Sequence, residues 1–147
     1  MTLSLDRSNE RSEIMQIALN IKDEAMFAGF EAAPAAALYF PAARITVREL
    51  IEARVRDEVE RYNAERPEVF NMLVAPAHAE RVLNGYKFKE KKRLDWRAQY
   101  EKAIEAFDRN GFIVLVDERQ ADELEQIIEI TPATSVTFLK LVPLVGG

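Results

Sequence analysis

The residues of this chain that could do chemistry lie at its end, in Leu141-Val142-Pro143-Leu144-Val145-Gly146-Gly147, a short apolar tail that finishes in two glycines. Glycine has no Cβ, so two in succession can thread a narrow enzyme channel with unrestricted φ and bring a terminal carboxylate against a nucleotide phosphate. Bulkier residues would clash. A frayed, small-residue terminus is the plain alternative.

Other reactive groups are few. There is no cysteine, so the chain has no disulfide, no thiolate nucleophile and no cysteine metal site. His78 is the only histidine and reads as a surface or satisfied residue on a small Ala-flanked helix. It cannot make a zinc site unless carboxylates supply the rest. Glu118 with Asp122 or Glu123 could pair as carboxylates, but a charge-dense turn explains them through solvation. No Gly-rich phosphate loop or nucleophile elbow appears. The sequence therefore assigns no catalytic residue, no metal ligand and no bound cofactor.

With 147 residues, 48% of them apolar and 31% charged, the chain suits one domain with one core. No run reaches the roughly 18 apolar residues of a membrane span, and Met1 to Arg7 lacks a secretory pattern, so a cytoplasmic protein is expected. A net charge of -5 argues against nucleic acid as the partner. The charge is uneven, however. Lys87, Lys89, Lys91, Lys92 and Arg93 crowd one stretch, which reads as a solvated loop or as a docking point for an acidic partner or nucleic acid.

The elements that must position the tail can be read along the chain. The first dozen residues are polar and aperiodic, a loose leader or a short edge strand. Ile17, Leu19 and Ile21 alternate with polar or small residues, the period of a half-buried strand. Ala25 to Ala43, interrupted by Gly29, Pro34 and Pro41, reads as a loop returning through a short strand near Leu38-Tyr39-Phe40 or Arg44-Ile45. Thr46-Val47-Arg48-Glu49 is a capping box. The helix it starts buries Leu50, Ile51, Val55, Val59 and Tyr62 and ends before Pro67.

Residues 64–111 read as an elaboration of helices. Ala77 to Leu83 follow Pro76 as a short helix stopped at Asn84-Gly85. Asp95 caps another, whose stripe of Trp96, Tyr100, Ala103, Ile104 and Phe107 reads as core and closes at Asn110-Gly111. Phe112 to Val116 suits a central, doubly covered strand. Asp117 to Gln120 turns the chain, Leu124, Ile127, Ile128 and Ile130 form a short amphipathic segment, and Ser135 to Val142 is the last strand, ended by Pro143.

This order of elements resembles the β-grasp fold of ubiquitin and the prokaryotic sulfur carriers. Val136 to Gly147 is similar to the close of the molybdopterin-synthase small subunit and of the thiamine-biosynthesis sulfur carrier, where x-Val-x-Phe leads to proline, two residues and Gly-Gly. Thr46-Val47-Arg48-Glu49-Leu50 is similar to their helix start. The resemblance covers residues 14–63 and 112–147. Two extra residues precede the proline, and 64–111 replaces a short loop.

The resemblance implies an α+β chain: a single ubiquitin-like β-grasp domain over 1–147, its mixed sheet packed on a helix. A helical insertion would occupy 64–111 and a flexible Gly-Gly tail 143–147. It also implies that Gly147 is the residue adenylated or conjugated, reached through Pro143, Leu144, Val145 and Gly146. ATP and magnesium would be used by an activating enzyme, and the product would be a thiocarboxylate or an isopeptide to a lysine. The chain would thus be a carrier and no enzyme. Further partners would be a conjugating enzyme, a processing metalloprotease or target lysines, as for bacterial ubiquitin-like modifiers. Lys22, Lys87, Lys89, Lys91, Lys92, Lys102 and Lys140 are candidate acceptors. Phe138 and Leu141 are the candidate docking anchors, with core packing as their plain role. The alternative is a non-covalent β-grasp adaptor or assembly protein.

Overall fold

Thr46 starts the main helix as its sequence dictates. Its hydroxyl accepts from the Glu49 amide at 3.1 Å, and the Glu49 carboxylate accepts from the Thr46 amide at 3.1 Å. The helix, α1 (Val47–Glu65), stops where Arg66 turns left-handed ahead of Pro67. The computed structural model describes residues 16–26, 36–83 and 85–141. The polar leader, residues 27–35, Asn84 and the tail residues Val142, Pro143, Leu144, Val145, Gly146 and Gly147 lie outside the described residues.

Strand β1 (Ile17–Ala25) pairs antiparallel with β2 (Ala36–Phe40) and parallel with β9 (Ser135–Lys140). On its other side β9 pairs antiparallel with β6 (Phe112–Val116), which pairs with β7 (Arg119–Ala121). The five-stranded order is therefore β2-β1-β9-β6-β7. Two further pairs are β3 (Arg44–Thr46) with β8 (Ile127–Glu129), and β4 (Ala79–Val82) with β5 (Gly85–Phe88). Helix α2 (Trp96–Asp108) completes an α+β fold, a mixed sheet with two helices that is compatible with a β-grasp-like arrangement.

The side of the sheet that carries Leu19, Ile21, Leu38, Phe40, Val114, Val136 and Phe138 shares one core with Leu50, Ile51 and Val55 of α1. Each such side chain contributes about 1.5–3 kcal/mol by leaving water. A file of rings continues the core from α2 into the sheet: Phe107 to Phe112 at 5.9 Å, then Phe112 to Phe138 at 6.1 Å. A second aromatic group, Tyr62, Phe70, Tyr86 and Phe88, joins the end of α1 to β5.

Several expectations need correction. Residues 64–111 hold the helix expected after Asp95, α2, but are not helical throughout. Ala77 to Leu83 do not form a helix; Val82 pairs with Gly85, so Gly85 opens a strand instead of stopping a helix. Phe70 bridges to Tyr86, and Gly85 has φ +154°, where a Cβ would lie 2.5 Å from the Phe70 carbonyl oxygen. Only glycine fits there. Asp117 and Glu118, both at positive φ, make a two-residue hairpin turn into β7. The segment at Ile127 is a strand: Ile128 is buried and Ile127 and Glu129 exposed. In β6 only Phe112 and Val114 are buried, so that strand is covered on one face.

Candidate functional site

The tail residues lie outside the described residues, so the site can be built only up to their root. There β9 ends firmly. The Met26 amide donates to the Lys140 carbonyl at 3.0 Å, and the Leu141 amide donates to the Gly111 carbonyl at 3.0 Å. Lys140 lies opposite Ala25 on one side and Phe112 on the other.

Strand alternation decides which side chains near that root can meet a partner. Val136, Phe138 and Lys140 point into the core, and Phe138 is 0% exposed beneath the Arg54 guanidinium, 4.6 Å from its ring centre. Phe138 is thus a core residue, and the expected docking role does not survive for it. Leu141 falls on the opposite face and is partly exposed. The register sets Leu139 beside Ile113 on that same open face, with Leu115 beside Thr137.

Beneath β9 lies a buried charge cluster. Arg54, 6% exposed, donates through both terminal nitrogens to the Asp23 carboxylate, one bond at 2.8 Å, and through Nε to Glu58 at 2.8 Å. Glu58 also accepts from the Leu73 amide at 2.9 Å, and Lys140 Nζ donates to the Met72 carbonyl at 2.9 Å. The Gln99 side chain donates to the Val74 carbonyl at 3.0 Å. Three side chains from α1, β9 and α2, Lys140 and Gln99 among them buried, therefore grip the backbone of residues 72–74. Burial pushes the Lys140 amine below its usual range, against the pull of Asp23 and Glu58. Burial works in the same direction on Arg54, but Glu58 and Asp23 outweigh it and its pKa is raised.

A cavity of about 380 Å³ opens beside this cluster, lined by Asp23, Arg54, Asp57, Glu58 and Arg61 among others. Its charges are largely spent on each other, Arg61 holding Asp57 at 2.6 Å. Convergent free groups of one sign, which would define a ligand, are not what this lining offers.

The remaining sequence candidates are scattered. Lys140 is 4% exposed and cannot accept a tail in the folded chain. Lys87, Lys89, Lys91 and Lys92 are exposed, Lys22 pairs with Glu24 at 3.4 Å, and Lys102 is half-buried. His78 is exposed at φ 66° in the turn before β4 instead of on a helix. Glu118, Asp122 and Glu123 are all exposed in loops, as solvation implies.

Trp96 and Tyr100 are partly buried and pack against the edge of the core. The Arg56 guanidinium lies 3.9 Å from the Trp96 ring centre, and Arg48 donates to the Tyr100 hydroxyl at 3.3 Å. Gln99, Ala103, Ala106 and Phe107 take the buried face of α2. The Asp23–Arg54–Glu58 cluster is not announced by the sequence. Its one local signal is the four-residue spacing of Arg54 and Glu58.

Among the described residues, no group of three or more His, Asp or Glu is placed to hold a metal, and no helix is long and apolar enough to cross a membrane. Comparison with protein-family models, with curated proteins and with solved structures gives no match for this chain.

Proposed function

We propose that the chain is a β-grasp, ubiquitin-like protein, a modifier or sulfur carrier, whose Gly147 carboxylate is activated by a partner enzyme. The observation that carries this reading is the place of β9. The strand that runs into Pro143-Leu144-Val145-Gly146-Gly147 is the middle strand of five, and its pairing with β1 is parallel. A tail rooted there has a rigid origin, and the six residues from Val142 to Gly147 span at most ~20 Å when extended. That reach lets a carboxylate enter a deep active site while the sheet stays outside.

In this reading a Gly147 carboxylate oxygen attacks the α-phosphorus of magnesium-bound ATP and pyrophosphate leaves. Hydrosulfide, or an enzyme thiolate, then attacks the acyl carbon and AMP leaves, giving, with loss of the hydrosulfide proton, a thiocarboxylate, or else a thioester. In the conjugation branch a lysine amine of a target protein displaces the thiol and loses a proton. Every catalytic group belongs to the partner. The open face with Ile113, Leu115, Leu139 and Leu141 would seat it, the apolar side chains serving as anchors.

The test is to express the chain, tagged at its N-terminus and ending at Gly147, in its native cells and recover it under denaturing conditions for mass spectrometry. A thiocarboxylate marks the carrier. Lysines bearing the remnant Leu141 to Gly147 mark the modifier, because trypsin cuts after Lys140. An unmodified carboxylate alone, or the same products from a chain lacking Gly146 and Gly147, overturns the proposal.

A second reading, a non-covalent β-grasp adaptor or assembly protein, is favoured by the exposed charge of residues 87–93, which the tail chemistry does not use. Extending the chain beyond Gly147 separates the two. A carrier loses transfer, whereas an adaptor keeps its binding.

A further inference from the structure

The charges of the chain are sorted along α1. Between Asp117 and Glu129 stand six acids and one base, and between Ala79 and Arg93 six bases and two acids. The acidic group borders the first turn of α1. The Val47 amide donates to the Gln126 carbonyl at 3.1 Å, the Arg48 amide to that of Leu124 at 2.9 Å, and Arg48 Nε to Glu125 at 2.7 Å. The basic group borders the last turns. The Asn63 side chain bonds both the amide and the carbonyl of Leu94, at 2.8 and 3.0 Å, and the Tyr62 ring lies 5.9 Å from that of Phe88.

The 19 residues of α1 thus hold the two groups at opposite ends of a rod of about 28 Å. That separation exceeds the Debye length of about 10 Å at 0.1 M salt, so the poles do not neutralise each other within one molecule. Part of each pole is paired locally: Arg44 faces Glu129 at 3.8 Å, Lys91 faces Glu68 at 3.2 Å, and Lys87 lies opposite Glu80. Lys89 and Arg93 at one pole, and Asp122 and Glu123 at the other, stand exposed.

We infer that the basic pole of one copy docks on the acidic pole of a second copy, head to tail. The two surfaces are complementary in sign and similar in charge, and each copy carries both. Nucleic acid fits the basic pole less well, since Tyr86 and Phe88 are turned into the core and are not open to base stacking. Because the contact joins unlike surfaces, association extends to oligomers instead of stopping at a symmetric dimer. This inference needs no tail chemistry.

Sedimentation velocity of the whole chain should show a weight-average mass above the 16.8 kDa monomer at about 20 mM salt and a return to monomer at about 500 mM. The charge-neutralising variants K89Q/R93Q and D122N/E123Q, each checked for folding by circular dichroism, should remain monomeric at low salt. Mixed in equal amounts they should give a 1:1 dimer that grows no further, because each pair retains one native junction. A chain lacking Gly146 and Gly147 should associate undiminished, so failure here is separate from failure of the tail chemistry. A monomeric native chain at low salt, association of either variant alone, or a monomeric mixture overturns the inference. Dissociation of the native assembly by a stoichiometric 20-nucleotide RNA assigns the basic pole to nucleic acid and overturns it as well.

Discussion

Arg54 and Asp23 meet fork to fork, two guanidinium nitrogens on two carboxylate oxygens, from positions 31 residues apart in the chain. Both side chains are under a tenth exposed. The bidentate geometry fixes how α1 sits over β1, and Glu58 completes the coordination of the guanidinium.

Removing one partner leaves a buried charge without its counter-ion. Asp23→Ala should cost about 3–5 kcal/mol in urea unfolding, and Arg54→Met a comparable amount. The double variant should cost less than the two together. Strictly additive losses would show that the pair is not coupled.

Phe138 and Leu141 should separate stability from docking. Phe138→Ala should lower stability by about 3–5 kcal/mol through a cavity in the core. Leu141→Asp, on the open face, should cost less than about 1.5 kcal/mol while preventing modification at Gly147. Full modification of a folded Leu141→Asp chain would move the docking surface elsewhere.

Alkaline titration should carry two opposite signatures. The Lys140 pKa is held below 10.5 by burial, so between its folded value and 10.5 the unfolded chain binds more protons and stability rises with pH. Burial raises Tyr62 above 10.0, so stability is full below 10.0 and is lost as pH climbs through the folded value. Lys140→Met should flatten the rise, and Tyr62→Phe should remove part of the fall. Near pH 7, Tyr62→Phe should be neutral or stabilising by up to about 1 kcal/mol, because its buried hydroxyl has no hydrogen-bond partner among the described residues. Denaturant midpoints measured from pH 7 to 11 decide all three.

Gly85→Ala should destabilise by more than about 1 kcal/mol, since a Cβ meets the Phe70 carbonyl oxygen and the backbone stays at positive φ. Hydrogen exchange localises the damage. The Tyr86 amide, which donates to Phe70 at 2.8 Å, should lose protection first.

How much was legible in the sequence follows from how local each signal is. The capping box at Thr46 and the stop before Pro67 were readable because both involve residues within one turn of each other. The alternation of Ile17 to Ile21 and the apolar run at Phe112 gave β1 and β6 for the same reason. Asn84-Gly85 signals a helix stop and a hairpin equally well. Phe70, distant in sequence, bridges to Tyr86 and crowds Gly85, a contact no local pattern announces. Asp23 carries no local signal and Lys140 reads as a candidate acceptor, and what buries them is the contact with α1 and Met72. The stripe places Trp96 against the core, but an aromatic stripe on a helix does not say which edge a cationic neighbour such as Arg56 will cover.

The parallel pairing of β1 with β9 has a mechanical consequence. Traction on the chain beyond Leu141 runs along β9, so its hydrogen bonds to β1 and β6 are loaded together in shear and do not peel one at a time. A molecular motor that draws the protein in from that side must break six residues of paired strand in one event. Traction from the opposite direction, at Ile17, meets the same parallel seam.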